Sequence, residues 1–158
     1  MSDAALRVTV FCASGRPGLA QVRQLTQRGY RVRAVTRQRV LNDTLRSVEV
    51  VPADLNDPAS LSEACAGADV VFYTAPAFTE RARRIEHITN VGRAAVQAGV
   101  QRLVYNTTSW FPDEPIGVPS MDQGYEMSQA IKGTGVPLTI VRHSLFMDNL
   151  LTKWVKPY

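Results

Sequence analysis

Residues 6–11 read Leu6-Arg7-Val8-Thr9-Val10-Phe11, the turn that follows reads Cys12-Ala13-Ser14-Gly15-Arg16-Pro17-Gly18, and residues 31–37 read Arg31-Val32-Arg33-Ala34-Val35-Thr36-Arg37. An apolar run, a turn holding two glycines, a helical stretch and a second apolar run closed by a basic residue form one strand–turn–helix–strand unit. Such a unit sets a helix N-terminus against the end of a strand, where its amide dipoles suit a diphosphate. Against a G-x-x-G-x-x-G spacing, Cys12 holds the first place, Gly15 the second and Gly18 the third. The second place lets the backbone approach the ligand, with Ser14, Arg16 and Pro17 around it, and the third lets helix and strand pack closely. If the first place takes a positive φ, a side chain there costs about 1–2 kcal/mol. If it does not, the thiol narrows the floor of the site.

Arg37 follows Gly18 by 19 residues, about where an acidic residue would bind the ribose hydroxyls of NAD and an arginine would receive the 2′-phosphate of NADP. Arg16 stands ready to close on the same phosphate from the turn. The pair predicts NADPH preferred over NADH.

The same alternation runs through the rest of the chain. Strands are expected at Leu6–Phe11, Arg31–Thr36, Val48–Val51, Asp69–Ala75, Arg102–Thr107 and Leu138–Arg142. Helices are expected from Leu19 to Gly29, from Asn56-Asp57-Pro58 through Cys65, from about Phe78 to Ala98, with Ile85, Ile88, Val91, Ala95 and Val96 inward, and over Met121–Lys132. Helices between strands without hairpin turns imply parallel pairing by right-handed crossovers. The fold class is therefore α/β: a doubly wound, mostly parallel Rossmann-type sheet of about six strands with helices on both faces, in one domain over residues 1–158. Trp110–Ser120, holding Pro112, Pro115 and Pro119, is the one long irregular stretch, the kind that is functional or mobile.

Composition narrows the function. The chain has 158 residues, 45% hydrophobic and 20% charged, and no run of apolar residues long enough for a membrane span. Its start lacks a secretion signal, which points to the cytoplasm. Cys12 and Cys65 lie far apart without metal-ligand spacing, as buried thiols of a reducing compartment would. The net charge of +4 is scattered, so no nucleic-acid partner is expected. No metal set and no Gly-x-Ser-x-Gly elbow occurs.

Four stretches carry a resemblance to a known family: Ala13-Ser14-Gly15-Arg16-Pro17-Gly18; Arg33-Ala34-Val35-Thr36-Arg37; Ala53-Asp54-Leu55; and Gly135-Val136-Pro137-Leu138-Thr139-Ile140-Val141-Arg142, continuing into Phe146-Met147-Asp148-Asn149. Together they resemble the NmrA-like branch of the atypical short-chain dehydrogenase/reductases, whose domain binds NAD(P). The resemblance implies that Asp54 and Leu55 line an adenine pocket, Asp54 accepting from the exocyclic amine. It places Thr74, Ala75 and Pro76 beneath the nicotinamide ribose and Thr107 to Trp110 against the nicotinamide, Ser109 orienting a substrate carbonyl.

Three features depart from the family. Cys12 replaces its usual glycine. Its tyrosine and lysine four positions apart are absent, since Tyr125 is followed by Gln129 and Lys132 lies seven residues on. The chain also ends soon after Asn149, without the C-terminal substrate region. Leu150, Leu151, Trp154 and Val155 would form one apolar face of a short helix, expected to pack on a second subunit as a homodimer or else to cap the pocket. Tyr125, Ser109 and His143, the last beyond the final strand, are the candidate proton donors. His87, beside Glu86, is expected at the surface.

The leading expectation is an NADPH-dependent oxidoreductase reducing a small carbonyl, quinone or similar electron-poor substrate. A non-catalytic NADP(H)-sensing regulatory protein and a cofactor-independent cyclising or dehydrating enzyme are the alternatives.

Overall fold

Valines fill residues 8, 10, 50, 51, 70 and 71, a composition suited to strands covered on both faces. In the computed structural model, which describes residues 5–37, 42–76, 79–107, 110–143 and 146–147, these segments pair as expected. The strands are β1 (Arg7–Val10), β2 (Arg31–Thr36), β3 (Glu49–Pro52), β4 (Val70–Thr74), β5 (Arg102–Asn106) and β6 (Leu138–Val141). They form one sheet in the order β3-β2-β1-β4-β5-β6, every pairing parallel. Val8 lies between Val32 and Val70, and Val71 beside Leu103, so valines stack across the sheet centre.

The helices are α1 (Arg16–Gln27), α2 (Asp43–Arg46), α3 (Pro58–Cys65), α4 (Arg81–Gln97) and α5 (Pro119–Lys132). Two apolar clusters mark the two faces. Val8, Val10, Val22, Val32, Ala34 and Leu45 join β1 and β2 to α1 and α2. Phe11, Leu61, Val71, Tyr73, Ile88 and Leu103 are among those joining the sheet to α3, α4 and α5. Each fully buried Val, Leu or Ile contributes about 1.5–3 kcal/mol of hydrophobic stabilisation.

Some boundaries differ from expectation for local reasons. Asp57 caps α3 by accepting from the Ala59 N–H at 3.0 Å, with Pro58 in the first turn. The short α2 has too few residues for a periodic signal, yet the Asn42 side chain caps it through the Leu45 N–H at 2.9 Å. On α4, Ala94 is buried and Val96 is exposed, a rotation of the stripe from that expected.

The segment between β5 and α5 is anchored. Phe111 is buried against Gly124 of α5, where an added Cβ would lie 2.6 Å from the ring. The Arg142 guanidinium sits 4.5 Å above the Phe111 ring centroid and pairs with Asp113 at 2.7 Å. The Asp122 carboxylate accepts from the Ile116 and Gly117 N–H groups at 2.8 and 3.0 Å. These ties link the segment beyond β5 to β6 and α5.

Gly124→Ala tests this packing by opposing two effects. Alanine in place of a mid-helix glycine gains about 0.5–1 kcal/mol from backbone propensity, whereas forcing Phe111 aside costs about 1–3 kcal/mol. A net loss of stability in denaturant titration is expected.

Candidate functional site

Because all six strands run parallel, their carboxyl ends gather at one edge of the sheet, and between β1 and β4 the connections part to opposite faces. Ligands of open α/β sheets bind at such a crevice. A cavity of about 520 Å³ opens there, within the range ligands fill.

Its floor is the turn after β1. Cys12 has φ 55°, and it alone among the described non-glycine residues takes a positive φ. Neighbouring bonds hold the strained turn: Phe11 N–H donates to the Phe72 carbonyl at 2.9 Å, Ala13 N–H to Val35 at 3.0 Å, and Gly15 N–H to Cys12 at 3.0 Å. Gly15 is the N-cap of α1 and offers no side chain to cap it, so the helix end faces the cavity with its positive dipole. Gly18 lies so close to the turn that a Cβ would stand 2.4 Å from the Cys12 carbonyl oxygen and 2.7 Å from Ala13 Cα. Burial pushes the Cys12 thiol up to about 11 against the opposing charge of Arg37, so it is neutral near pH 7.

The walls come from the ends of β2 and β3. Thr36 ends β2 and Arg37 follows it, and Ala53, Asp54, Leu55 and Asn56 follow β3. Asp54 Oδ1 accepts from the Asn56 backbone N–H at 2.9 Å and from Asn56 Nδ2 at 2.7 Å, which holds its carboxyl below the usual carboxylate range. Pro76, after β4, completes the part of the lining expected from the sequence, with Cys12, Ser14, Gly15, Arg37, Asp54 and Leu55.

The fourth wall was not expected. Thr79, Arg83 and His87, before and along α4, line the cavity. His87 is 7% exposed, which corrects its expected surface position. Its Nε2 meets Asn56 Oδ1 at 2.9 Å, and burial lowers its pKa below the ordinary value. The sequence held a signal: His87 stands four residues before Val91, on the buried stripe of α4, and Arg83 four before His87.

Several candidates lie away from this cavity. Gly18 supports the turn from behind, and Arg16 and Pro17 open α1. Thr74 and Ala75 are buried, with Thr74 Oγ1 accepting from Asn106 Nδ2 at 3.4 Å. Thr107 is buried, and its hydroxyl donates to the Val141 carbonyl at 2.9 Å. His143 Nε2 donates to the Thr107 carbonyl and its ring stacks on Phe146 with centroids 4.0 Å apart. Tyr125 is half-buried on α5, and Lys132 is exposed at that helix's last turn. Ser109 and the apolar face of Leu150, Leu151, Trp154 and Val155 lie outside the described residues. A depression of about 490 Å³ at the opposite end of the sheet is lined by Arg7, Arg31, Arg33 and Glu49 among others, at the amino ends of strands, where open α/β sheets do not place their ligands. No described helix is long and apolar enough to cross a membrane.

The NmrA-like family matches residues 5–157. The chain belongs to that family. It is 33% identical over 122 residues to the NAD(P)H azoreductase of Xenophilus azovorans, covering 76% of this chain and 40% of that protein. It is 28% identical over 165 residues to the probable pinoresinol-lariciresinol reductase 3 of Arabidopsis thaliana, covering 96% of this chain and 51% of the relative. Among solved structures, the triphenylmethane reductase of Citrobacter sp. in complex with NADP(H) superposes with a TM-score of 0.75 at 25% identity, over 92% of this chain and 52% of that one. The chain thus spans about half the length, or less, of these relatives.

Two outcomes follow from the site's strain and burial. Cys12→Val, which puts a β-branched residue at φ 55°, is expected to lose about 1–2 kcal/mol in denaturant titration. Cys12→Gly exchanges relief of strain for unfolded-chain entropy and should stay within about 1 kcal/mol of wild type. For His87, the folded pKa lies below its ordinary value of 6.5, so its contribution to stability is complete above pH 6.5 and is lost as pH falls through the folded value. Between pH 7 and 5, wild type should therefore lose more stability than His87→Gln.

Proposed function

We propose that this chain is the nucleotide-binding part of an NAD(P)H-dependent reductase that prefers NADPH. The observation that carries the reading is the meeting of the Gly15 end of α1, the positive-φ turn at Cys12 and the Arg37 side chain around one cavity at the sheet switch point. The residues present fit a dinucleotide phosphate. The open helix dipole and the close backbone at Gly15 suit a diphosphate, and Arg37 at the β2 end suits a 2′-phosphate. Asp54 and Leu55 would border the adenine, with Pro76 leading toward the nicotinamide half. The reductase names of the curated relatives support the redox class.

When bound, the dinucleotide supplies a hydride to an electron-poor substrate. This chain's residues would bind and orient it. Beyond β5 and β6, outside the cavity lining, His143 Nε2 donates to the Thr107 carbonyl, on the side toward which the nicotinamide half would run. His143 Nε2 is engaged by that bond, and Tyr125 is followed four residues on by Gln129 and not by a lysine. The lack of a Tyr–Lys pair suits a substrate needing little acid help, such as an azo, quinone or cationic dye group. That same lack of a Tyr–Lys pair favours a second reading, an NADP(H)-responsive binding protein without turnover.

Calorimetric titration of NADPH and NADH tests the cofactor. A charge-assisted phosphate contact is worth about 1.5–3 kcal/mol, or roughly ten- to a hundredfold in affinity. Wild type is expected to favour NADPH by that factor, and Arg37→Ala to erase the preference while leaving NADH binding within about threefold. Absence of binding by either nucleotide overturns the reading. NADPH oxidation with a panel of azo, quinone and triphenylmethane dyes then separates reductase from sensor.

A further inference from the structure

The loop after β3 is exposed at Asp54 and Asn56, yet α4 holds it at two points. Asn90 Nδ2 donates to the Leu55 carbonyl at 3.1 Å, and His87 meets Asn56 Oδ1 at 2.9 Å. Bond chemistry decides every orientation in the second tie. The Asp54 carboxylate only accepts, so Asn56 must turn its amide nitrogen toward it, as the 2.7 Å contact requires. Asn56 Oδ1 then faces His87, and His87 must carry its proton on Nε2 to donate there. A buried imidazole, set on α4 between the fully buried Ile88 and the half-buried Arg84, thereby fixes an exposed carboxylate two bonds away.

Both bonds to Asp54 fall on Oδ1, and Oδ2 receives none among the described residues. Asp54 and His87 line the same cavity. We propose that His87 is a positioning residue of the base pocket: through Asn56 it fixes Asp54 so that Oδ2 serves as an acceptor selecting a purine with an exocyclic amine over one with a carbonyl there. This rests on the dinucleotide reading above and names what discriminates its base. A carboxylate locked as an acceptor attracts the amine of adenine and repels the carbonyl oxygen of hypoxanthine. A carboxylate free to rotate distinguishes them poorly, because it can turn toward solvent when the wrong base is present.

The test compares binding of NADPH with its hypoxanthine analogue, in which the amine is replaced by a carbonyl, to wild type and variants by calorimetry. Wild type is expected to favour NADPH by about tenfold or more. His87→Gln, whose amide can donate to Asn56, should keep that ratio. His87→Leu, which cannot, should bring the two nucleotides to within about threefold. Asn56→Ala removes the middle link at an exposed position and should have the same effect without disturbing the core. A purely structural role for His87 would weaken both nucleotides alike and leave the ratio unchanged, which overturns the proposal. Equal binding of both nucleotides by wild type also overturns it and leaves the dinucleotide reading standing. Binding of neither overturns both.

Discussion

The contact of Gly18 with the Cys12 carbonyl is the constraint on which the site depends. An α-helix can begin directly beneath a parallel strand only if its first turn approaches the strand's end without a side chain between them. A Cβ at Gly18 would lie 2.4 Å from the Cys12 oxygen. With hydrogen there instead, α1 rests against β1 and its N-terminus points past Gly15 into the crevice beside β4. The turn that achieves this takes Cys12 to φ 55°, a conformation held by bonds to Phe72, Val35 and Gly15 on three sides. Strain at one residue is thus kept by the sheet that surrounds it.

Around that turn the charges are arranged asymmetrically. Arg37 and Arg83 come to the cavity from β2 and α4, and Asp54 comes from the end of β3. A cationic mouth with a single oriented carboxylate suits a ligand that is anionic along most of its length and offers hydrogen-bond donors at one end. The neutral Cys12 thiol adds no charge to the floor.

The segment between β5 and α5 has a different logic. Arg142 joins Phe111 and Asp113, Phe111 fills the space over Gly124, and Asp122 gathers two backbone N–H groups from the same segment. A stretch with three prolines is thereby fixed in place, through charge pairing and ring packing from elements that lie later in the chain.

The sequence by itself determined the doubly wound, parallel α/β class, because buried β-strands and amphipathic helices impose different periods on apolar residues and the crossovers allow one hand. It also determined the tight turn after β1, where Gly15 and Gly18 stand at spacings that follow from local backbone geometry, and the place of Arg37, which depends only on the length of one helix and strand. Tertiary structure decided the rest. Whether Cys12 would take a positive φ depended on partners at Val35 and Phe72. The entry of His87 and Arg83 into the site depended on how α4 rolls on the sheet, which moved Val96 outward and Ala94 inward. The bonding of His143 to Thr107 depended on the register of β6 against β5. Each is a contact between residues distant in sequence, and the periodicity of a single segment carries no record of which other segment it meets.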